Sequence, residues 1–175
     1  RTLDEDRPIY DRRLSAGAVR HRIDQYHRPY HRQLQTLLDA AHARFGCVYH
    51  INCHSMGPNT TVQIEGTKDL PRADIVLGDR DGTTCAPEFT AFVRAHLAAL
   101  GYDVRVNDPF KGVELVRAYA DPAAGRHSLQ LEVNKRLYMD TTTLRKTAGF
   151  ATLQTHLMQL IDAVLERFAP QAGHV

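Results

Sequence analysis

The sequence predicts an α/β protein, a three-layer sandwich in which a central mixed sheet lies between helices. Hydrophobic patterns of helical period and of strand period alternate along the chain, which is typical of this class. A content of 43% hydrophobic and 24% charged residues is that of an ordinary globular protein. No apolar run approaches the ~20 residues that a helix needs to cross a bilayer. For 175 residues we expect a single catalytic or binding domain over the whole chain.

The first element is predicted to be a long amphipathic helix that ends at Gly46. Pro29 lies inside it and is expected to kink it, because proline removes one backbone donor. The apolar residues of its stripe follow one another at steps of three and four: Val19, Ile23, Tyr26, Tyr30, Leu34, Leu37, Ala41 and Phe45.

Five segments are predicted as strands, from their β-branched and aromatic content or from an alternating pattern. The last of them alternates apolar residues with Gln130, Glu132 and Asn134, which places these three polar residues on one face. The five segments are "CVYHINCH" (47–54), "TVQIEG" (61–66), "ADIVLGD" (73–79), "YDVRV" (102–106) and "HSLQLEVN" (127–134).

Two further helices are predicted from apolar residues that share one side. The segment "APEFTAFVRAHLAALG" (86–101) stops at its glycine, and the final helix runs roughly over 148–168. Their apolar faces are Phe89, Phe92, Val93, Leu97 and Leu100 in the first, and Phe150, Leu153, Leu157, Leu160, Ile161, Val164 and Phe168 in the second.

The charge and the cysteines exclude several classes of protein. A formal net charge of +2, with basic residues scattered among carboxylates, argues against a nucleic-acid partner. The opening "RTLDEDRPIY" lacks the apolar segment of a signal peptide, and no membrane partner is expected. Cys47, Cys53 and Cys85 are odd in number and unevenly spaced, which argues against a disulfide framework and favours a cytoplasmic location. Whether the protein forms a homo-oligomer is left open by the sequence.

Polar side chains stand at the ends of three predicted strands: His54, Asp79 and Asn107. Ligands of open α/β sheets bind beyond the carboxyl ends of strands, so we expect a site where these residues cluster. His54 could give one ring nitrogen to a metal, or it could be satisfied by a loop carbonyl. Taken alone, the second interpretation is favoured, because one ligand does not make a metal site.

Two other groupings of reactive side chains are weaker. Cys53 and His54 are adjacent, so on a strand they point to opposite faces and do not form a nucleophile–base pair; Cys53 is expected in the core. His27 and His31 have the i, i+4 spacing of helical zinc ligands, but Arg28 stands where the H-E-x-x-H pattern has Glu. Two histidines on a solvated or packed face are the favoured interpretation.

Glu132 is unusual, because a carboxylate in the middle of a covered strand is costly unless it is paired or hydrogen-bonded. Its functional interpretation is a general base beside a metal. Its structural interpretation is one half of an ion pair with Lys135 or Arg136. The residues themselves leave both open.

Two turns carry charged residues after predicted strands, "GDRDGT" (78–83) and "NDPFKG" (107–112). Arg80 could clamp a carboxylate in a bidentate fork or form a salt bridge within its turn. Asn107, Asp108 and Lys111 could cap their turn or contact an anion. Neither turn has the G-x-x-x-x-G-K-[ST] spacing of a phosphate loop.

These segments, in this order, resemble the N-formylglutamate amidohydrolase (N-formylglutamate deformylase) family. The resemblance extends from about residue 8 to about residue 168, and "GDRDGTTC" and "LQLEVN…LYMD" are its most specific parts. The matching segments are "YHRPYH" (26–31), "CHSM" (53–56), "DIVLGDRDGTTC" (74–85), "NDPFKG" (107–112) and "LQLEVNKRLYMD" (129–140).

The resemblance implies a fold similar to zinc carboxypeptidases, of the phosphorylase/hydrolase-like type, and a zinc-dependent amidohydrolase. The implied reaction cleaves N-formyl-L-glutamate, or a similar N-acyl amino acid, to formate and glutamate by metal-activated water. Histidine degradation is the pathway it suggests, and the sequence leaves that pathway open. His54 would be the last zinc ligand, and Glu132 would be the catalytic base and acid.

The substrate-binding residues follow from the same resemblance. Cationic side chains must meet two glutamate carboxylates, and Arg80, Lys111 and Arg136 are the candidates in that order. Tyr138 would cap the substrate or donate to the developing oxyanion, although a core tyrosine is equally compatible with its position. Asn107 and Asn134 complete the expected set.

The chain departs from the family's pattern at three points. Asn52 stands where the family usually has Asp, which lowers the negative charge around the metal. Lys135 follows Asn134 where the family usually has Arg, which weakens a bidentate clamp there. The first zinc ligands are expected upstream of Arg1, so we expect a catalytic domain (1–175) that lacks its N-terminal part and binds zinc poorly or not at all as given.

Two alternatives remain. The first is a non-catalytic or metal-free relative that keeps the fold and binds carboxylate ligands. The second is a thiol hydrolase that uses Cys53 or Cys85, in which a change of that cysteine to Ala would abolish activity.

Overall fold

A computed structural model of the chain describes residues 8–169. It divides into two compact units, residues 1–40 and 41–175, and each unit is described by itself. The single domain expected over residues 1–175 stays a prediction. No helix among the described residues is both long enough and apolar enough to cross a bilayer.

The first unit is helical. Helix α1 (Ala16–Arg22) begins at Ser15, whose hydroxyl accepts the backbone N–H of Ala18. A π-helical turn over Ile23–His27 leads directly into α2 (Arg28–Phe45). Pro29 lacks an N–H and its ring crowds the preceding turn, so the irregularity expected there takes the form of wider i, i+5 bonding. The predicted long helix is therefore present, with this interruption.

The apolar stripe of this helix is largely exposed. Tyr26 is 70% exposed and Leu37 is 58% exposed, whereas Leu38, which is outside the stripe, is buried. The helix ends where the sequence predicted, because Gly46 takes a left-handed conformation (φ 72°) and donates its N–H to the carbonyl of His42.

A four-stranded mixed sheet forms the centre of the second unit, and the predicted fold class is confirmed. Strands β1 and β4 are parallel, β2 and β3 are parallel, and β2 is antiparallel to β4. The spatial order is β1-β4-β2-β3. The strands are β1 (Val48–Met56), β2 (Ile75–Gly78), β3 (Val104–Val106) and β4 (Arg126–Asn134).

Helices cover the two faces of this sheet unequally. Helix α4 (Pro87–Ala99) and helix α6 (Gly149–Phe168) pack on the apolar face, as the sequence predicted. The core between them and the sheet contains Ile75, Leu77, Phe89, Val93, Leu97, Leu129, Leu131, Leu153 and Leu160. The short helix α5 (Glu114–Ala118), which was not predicted, lies against the other, polar face.

One predicted strand is wrong. Residues 61–66 contain the short helix α3 (Val62–Glu65), which Gly66 ends in a left-handed conformation. The carboxylate of Glu65 accepts the N–H of Thr61 and is also held by Arg72 from farther along the chain. Tertiary contacts of this kind override the β propensity of the valine and isoleucine in the segment.

Candidate active site

The polar face of the sheet brings His54 and Glu132 together. The two residues are direct partners in the β1–β4 register, and Asn52 pairs in the same way with Gln130. Partners in register share a face, so the alternation predicted for β4 places these side chains side by side. His54 Nδ1 lies 3.6 Å from Glu132 Oε1.

Burial and charge act in opposite directions on Glu132. Its residue is 6% exposed, and this burial raises the pKa of the carboxyl group. The electrostatic interactions with His54 and Arg72 and the hydrogen bond from Gln130 oppose that rise. On the other side of His54, the amide nitrogen Nδ2 of Asn52 lies 3.2 Å from Nε2.

The ion pair considered for Glu132 with Arg136 does not form. Arg136 Nη2 instead lies 2.7 Å from Asp74 Oδ1, and Lys135 acts on Glu132 only as a nearby charge. The group that contacts Glu132 directly is Gln130, whose amide Nε2 donates to Oε1 at 2.9 Å. The sequence placed Gln130 on the correct face but gave it no role.

The predicted clustering of polar residues at the carboxyl ends of strands is wrong in part. Because β2 is antiparallel to β4, the carboxyl ends of β2 and β3 point in the opposite direction to the carboxyl ends of β1 and β4. Asp79 and Asn107 therefore lie on the far side from Asn134. They bind each other, with Asn107 Nδ2 2.7 Å from Asp79 Oδ1.

The candidate cations of the two turns differ in their contacts. Lys111 Nζ is paired with Asp81 at 2.9 Å on the surface. Arg80 donates from Nη1 to the carbonyl of Gly112, and within residues 8–169 no carboxylate is in salt-bridge contact with it. Gly112 precedes Val113, whose N–H binds Gln130, so this turn holds Arg80 near the polar face.

The remaining candidates lie near the carboxyl end of β4. Asn134 is fully buried, and its amide donates to the carbonyl of Ala73 at 3.0 Å while its oxygen accepts the N–H of Arg136. These contacts give Asn134 a structural role in addition to any role in binding. Tyr138 lines an open cavity of about 380 Å³ that includes His54. The other lining residues are Ser55, Val133, Phe150, Leu153, Gln154, Leu157 and Met158.

The described residues supply only part of a metal site. Within residues 8–169 no group of three or more His, Cys, Asp or Glu side chains could hold a metal ion. His54, with a neighbouring carboxylate, has the chemistry of one zinc ligand, but the set is incomplete without others. In the first unit, the rings of His27 and His31 lie tilted by 32° with their centroids 4.1 Å apart, as a pair on one side of the helix.

The cysteines differ from the expectation in one respect. Cys53 is exposed and not in the core, because β1 is an edge strand of the described sheet. It points away from the face of His54, as predicted. Cys85 is buried, and this burial raises the pKa of its thiol to about 12, which leaves very little reactive thiolate at neutral pH.

Arg72 is a residue near the site that sequence reasoning missed. Its guanidinium binds Glu65 through two nitrogens, at 2.6 and 3.1 Å, and donates to the carbonyl of Gly57. It also lies 5.3 Å from the ring centroid of Phe110. An arginine before a buried strand has no local signal of burial, because only the fold brings it close to its partners Glu65, the last residue of α3, and Gly57.

Comparisons with known proteins agree on one family. The sequence model of the family described as N-formylglutamate amidohydrolase matches residues 1–139. The chain is 34% identical over 170 residues to an N-formylglutamate deformylase of Pseudomonas putida, which covers 94% of this chain and 62% of the relative. A deformylase of the same name from Pseudomonas aeruginosa is 32% identical over 142 residues, covering 79% of this chain and 52% of the relative.

A solved structure gives the same result. The crystal structure of N-formylglutamate amidohydrolase from Ralstonia eutropha JMP134 matches with a TM-score of 0.88 and 44% identity. The match covers 94% of this chain and 59% of that one. This chain therefore spans between about half and three-fifths of the length of the relatives it matches.

Proposed function

The chain belongs to the N-formylglutamate amidohydrolase family, and from this membership we propose that it acts in the hydrolysis of N-formyl-L-glutamate, or of a similar N-acyl amino acid. The products would be formate and glutamate, or the corresponding acid and amino acid. The observation that carries the proposal is the contact of His54 with Glu132 on the polar face of the sheet. Relatives that bear the name of this activity support it.

Glu132 is the proposed general base and acid. As water attacks the carbonyl carbon of the amide, the carboxylate takes one proton from that water. It then gives the proton to the nitrogen of the leaving amine, and the C–N bond breaks. A carboxyl group whose pKa is raised by burial suits this double role, because a catalytic group works best when its pKa lies nearer the working pH.

We propose zinc as the cofactor, with His54 as one of the side chains that hold it. A zinc site that includes His54 needs further ligands beyond those that residues 8–169 bring together. Bound zinc would act as a Lewis acid toward the amide carbonyl.

Substrate binding is assigned to the cations near the polar face. Arg80 remains the first candidate, because it is held by one backbone carbonyl and makes no salt bridge among the described residues. After the larger effect of the hydrogen bond from Arg117, its charge also lowers the pKa of nearby Glu114. Lys111 and Arg136 would first have to leave their present carboxylate partners. Tyr138 stays a candidate from the family resemblance alone, because it packs against the apolar core and the cavity that it lines with His54 does not include Glu132.

Formate release and metal content together test this proposal. The assay compares the wild-type protein with Glu132→Gln and His54→Ala. The first variant should lower kcat by about 10²–10⁴-fold, the usual contribution of a general base. His54→Ala should lower the zinc content. Glu166→Gln, the same substitution at an exposed site on α6, is the matched control and should change neither.

The contrary result would favour the alternative function. A folded wild-type protein that contains no zinc and releases no formate would overturn the hydrolase proposal. If glutamate or N-formylglutamate then raised its melting temperature, a metal-free relative that binds carboxylates would be the better assignment.

A further inference from the structure

We propose that Gln130 is a positioning residue, which fixes the orientation of the Glu132 carboxylate and leaves Oε2 as the oxygen that exchanges the proton. This inference rests on the proposed function, since it assigns a partner to the proposed base. Neither the family resemblance nor the sequence pattern gave Gln130 a role of this kind.

Gln130 is buried and both ends of its amide are engaged. The residue is 1% exposed and lies two positions before Glu132, on the same face of β4. Its oxygen Oε1 accepts the backbone N–H of Val113 at 2.9 Å. Its nitrogen Nε2 donates to Oε1 of Glu132, also at 2.9 Å.

These two contacts allow only one orientation of the amide. The backbone N–H of Val113 can only donate, and an ionised carboxylate can only accept. Rotating the amide of Gln130 by 180° would set donor against donor at Val113 and acceptor against acceptor at Glu132. Both buried bonds would be lost at once, and unmade buried hydrogen bonds are costly.

The position of Val113 is itself fixed by close packing. The preceding Gly112 has φ 107° and lies against Gly78 of β2, where an added Cβ would come within 2.6 Å of the Gly112 nitrogen. On the other side, Val113 is the N-cap of α5, whose Val116 is fully buried. The N–H that orients Gln130 therefore belongs to rigid backbone.

The two oxygens of Glu132 are then inequivalent. Oε1 accepts the bond from Gln130 and is the oxygen 3.6 Å from His54 Nδ1. Within residues 8–169 the structure records no hydrogen bond to Oε2. A proton is accommodated on Oε2 without disturbing the amide, and Oε2 is the oxygen that can face a reacting water.

A purely structural role for Gln130 makes a different prediction. In that case the amide only ties residues 107–113 to the sheet through Val113, and the bond to Glu132 has no kinetic consequence. The two roles are distinguished by measurements that report on the Gln130–Glu132 contact and on catalysis, and not on the stability of the fold.

The first measurement follows the Gln130 side-chain amide by NMR in the wild-type protein. One of its two hydrogens should exchange slowly with solvent, in contrast to the amide of the exposed Gln159. Glu132→Gln should shift the Gln130 amide resonances, and the exposed control Glu166→Gln should not. Rapid exchange of both hydrogens would overturn the inference, and so would Gln130 amide resonances whose chemical shifts do not change in Glu132→Gln.

The second measurement is kinetic. Gln130→Met keeps the length of the side chain but has no donor, and should lower kcat about 10–100-fold, the usual effect of removing a partner that orients a site residue. KM should change less than kcat does, because the variant removes the donor to Glu132 directly and reaches Arg80 only through the turn at Val113. An unchanged kcat in a folded variant would overturn the inference.

The two measurements also separate this inference from the proposed function. Absence of formate release by the wild-type protein would reject the function, and the NMR experiment would still decide whether Gln130 orients Glu132. If Gln130→Met does not fold, the NMR result on the wild-type amide and on Glu132→Gln decides alone.

Discussion

The buried ion pair of Arg72 with Glu65 should be among the strongest single determinants of stability near the site. Arg72→Met removes the guanidinium but keeps most of the apolar stem of the side chain. The change breaks two charge-assisted hydrogen bonds to Glu65 and one to the carbonyl of Gly57. It leaves the Glu65 carboxylate with only the N–H of Thr61 among these partners.

The expected magnitude follows from the burial of the two side chains. The Arg72 side chain is 5% exposed and that of Glu65 is 13% exposed. Removing one partner of a fully buried pair costs about 3–5 kcal/mol, because the other charge stays uncompensated. Since Glu65 keeps some access to water, we expect about 2–3 kcal/mol, which corresponds to roughly 4–12 °C in Tm for a protein of this size.

Urea unfolding at pH 7 measures this change, and a double-mutant cycle with Glu65→Gln isolates the coupling between the two residues. The matched control is Arg117→Met, which breaks an exposed pair with Glu114 on α5 and should leave the midpoint nearly unchanged. A loss below about 1 kcal/mol for Arg72→Met, or additive effects in the cycle, would refute the assignment of a buried, coupled pair.

Three further predictions concern stability and reactivity. Arg72 lowers the pKa of Glu65, so the stability from this pair is present above the pKa of the unfolded chain and lost as pH falls through the folded value. Unfolding free energies at pH 5, 4 and 3 should therefore fall more steeply in the wild type than in Arg72→Met, and equal slopes would contradict this. Gly78→Ala would bring a Cβ within 2.6 Å of the adjacent loop backbone, so we expect its melting temperature to be lower than that of the wild type. An equal melting temperature would show that the loop can move to make room for the methyl group. In thiol titration of the native protein at pH 8, Cys53 should react first but slowly, because desolvation of its sulfur also raises its pKa. Cys85 should react only after unfolding, and early reaction of Cys85 would contradict its burial and raised pKa.

The sequence could predict the elements whose signals are local. The alternation of β4 put Glu132 and Gln130 on one face, because the period of a strand is two whatever the rest of the chain does. Helix α4 was also predictable, since its stripe and its terminal glycine lie within one segment. The opposite orientations of Cys53 and His54 followed from the same alternation.

Residues 61–66 show where local signals failed. Their β-branched content favoured a strand, and the decision for helix α3 came from contacts of Glu65 with Arg72, seven residues away. The burial of Arg72 had no signal of its own, because a charged side chain is buried only where a partner is supplied. Such partners are a property of the folded chain and not of a window of sequence.

The sequence by itself determined which chemical groups exist and which face of its strand each one takes. The tertiary structure alone decided which strands are neighbours and in which direction they run. His54 contacts Glu132 because β1 pairs with β4 in parallel. Asp79 lies at the opposite end of the strands from Asn134, because β2 is antiparallel to β4. The orientation of Gln130 depends on the N–H of Val113, 17 residues earlier in the chain. Strand order and direction depend on how the whole core packs, which no local pattern encodes.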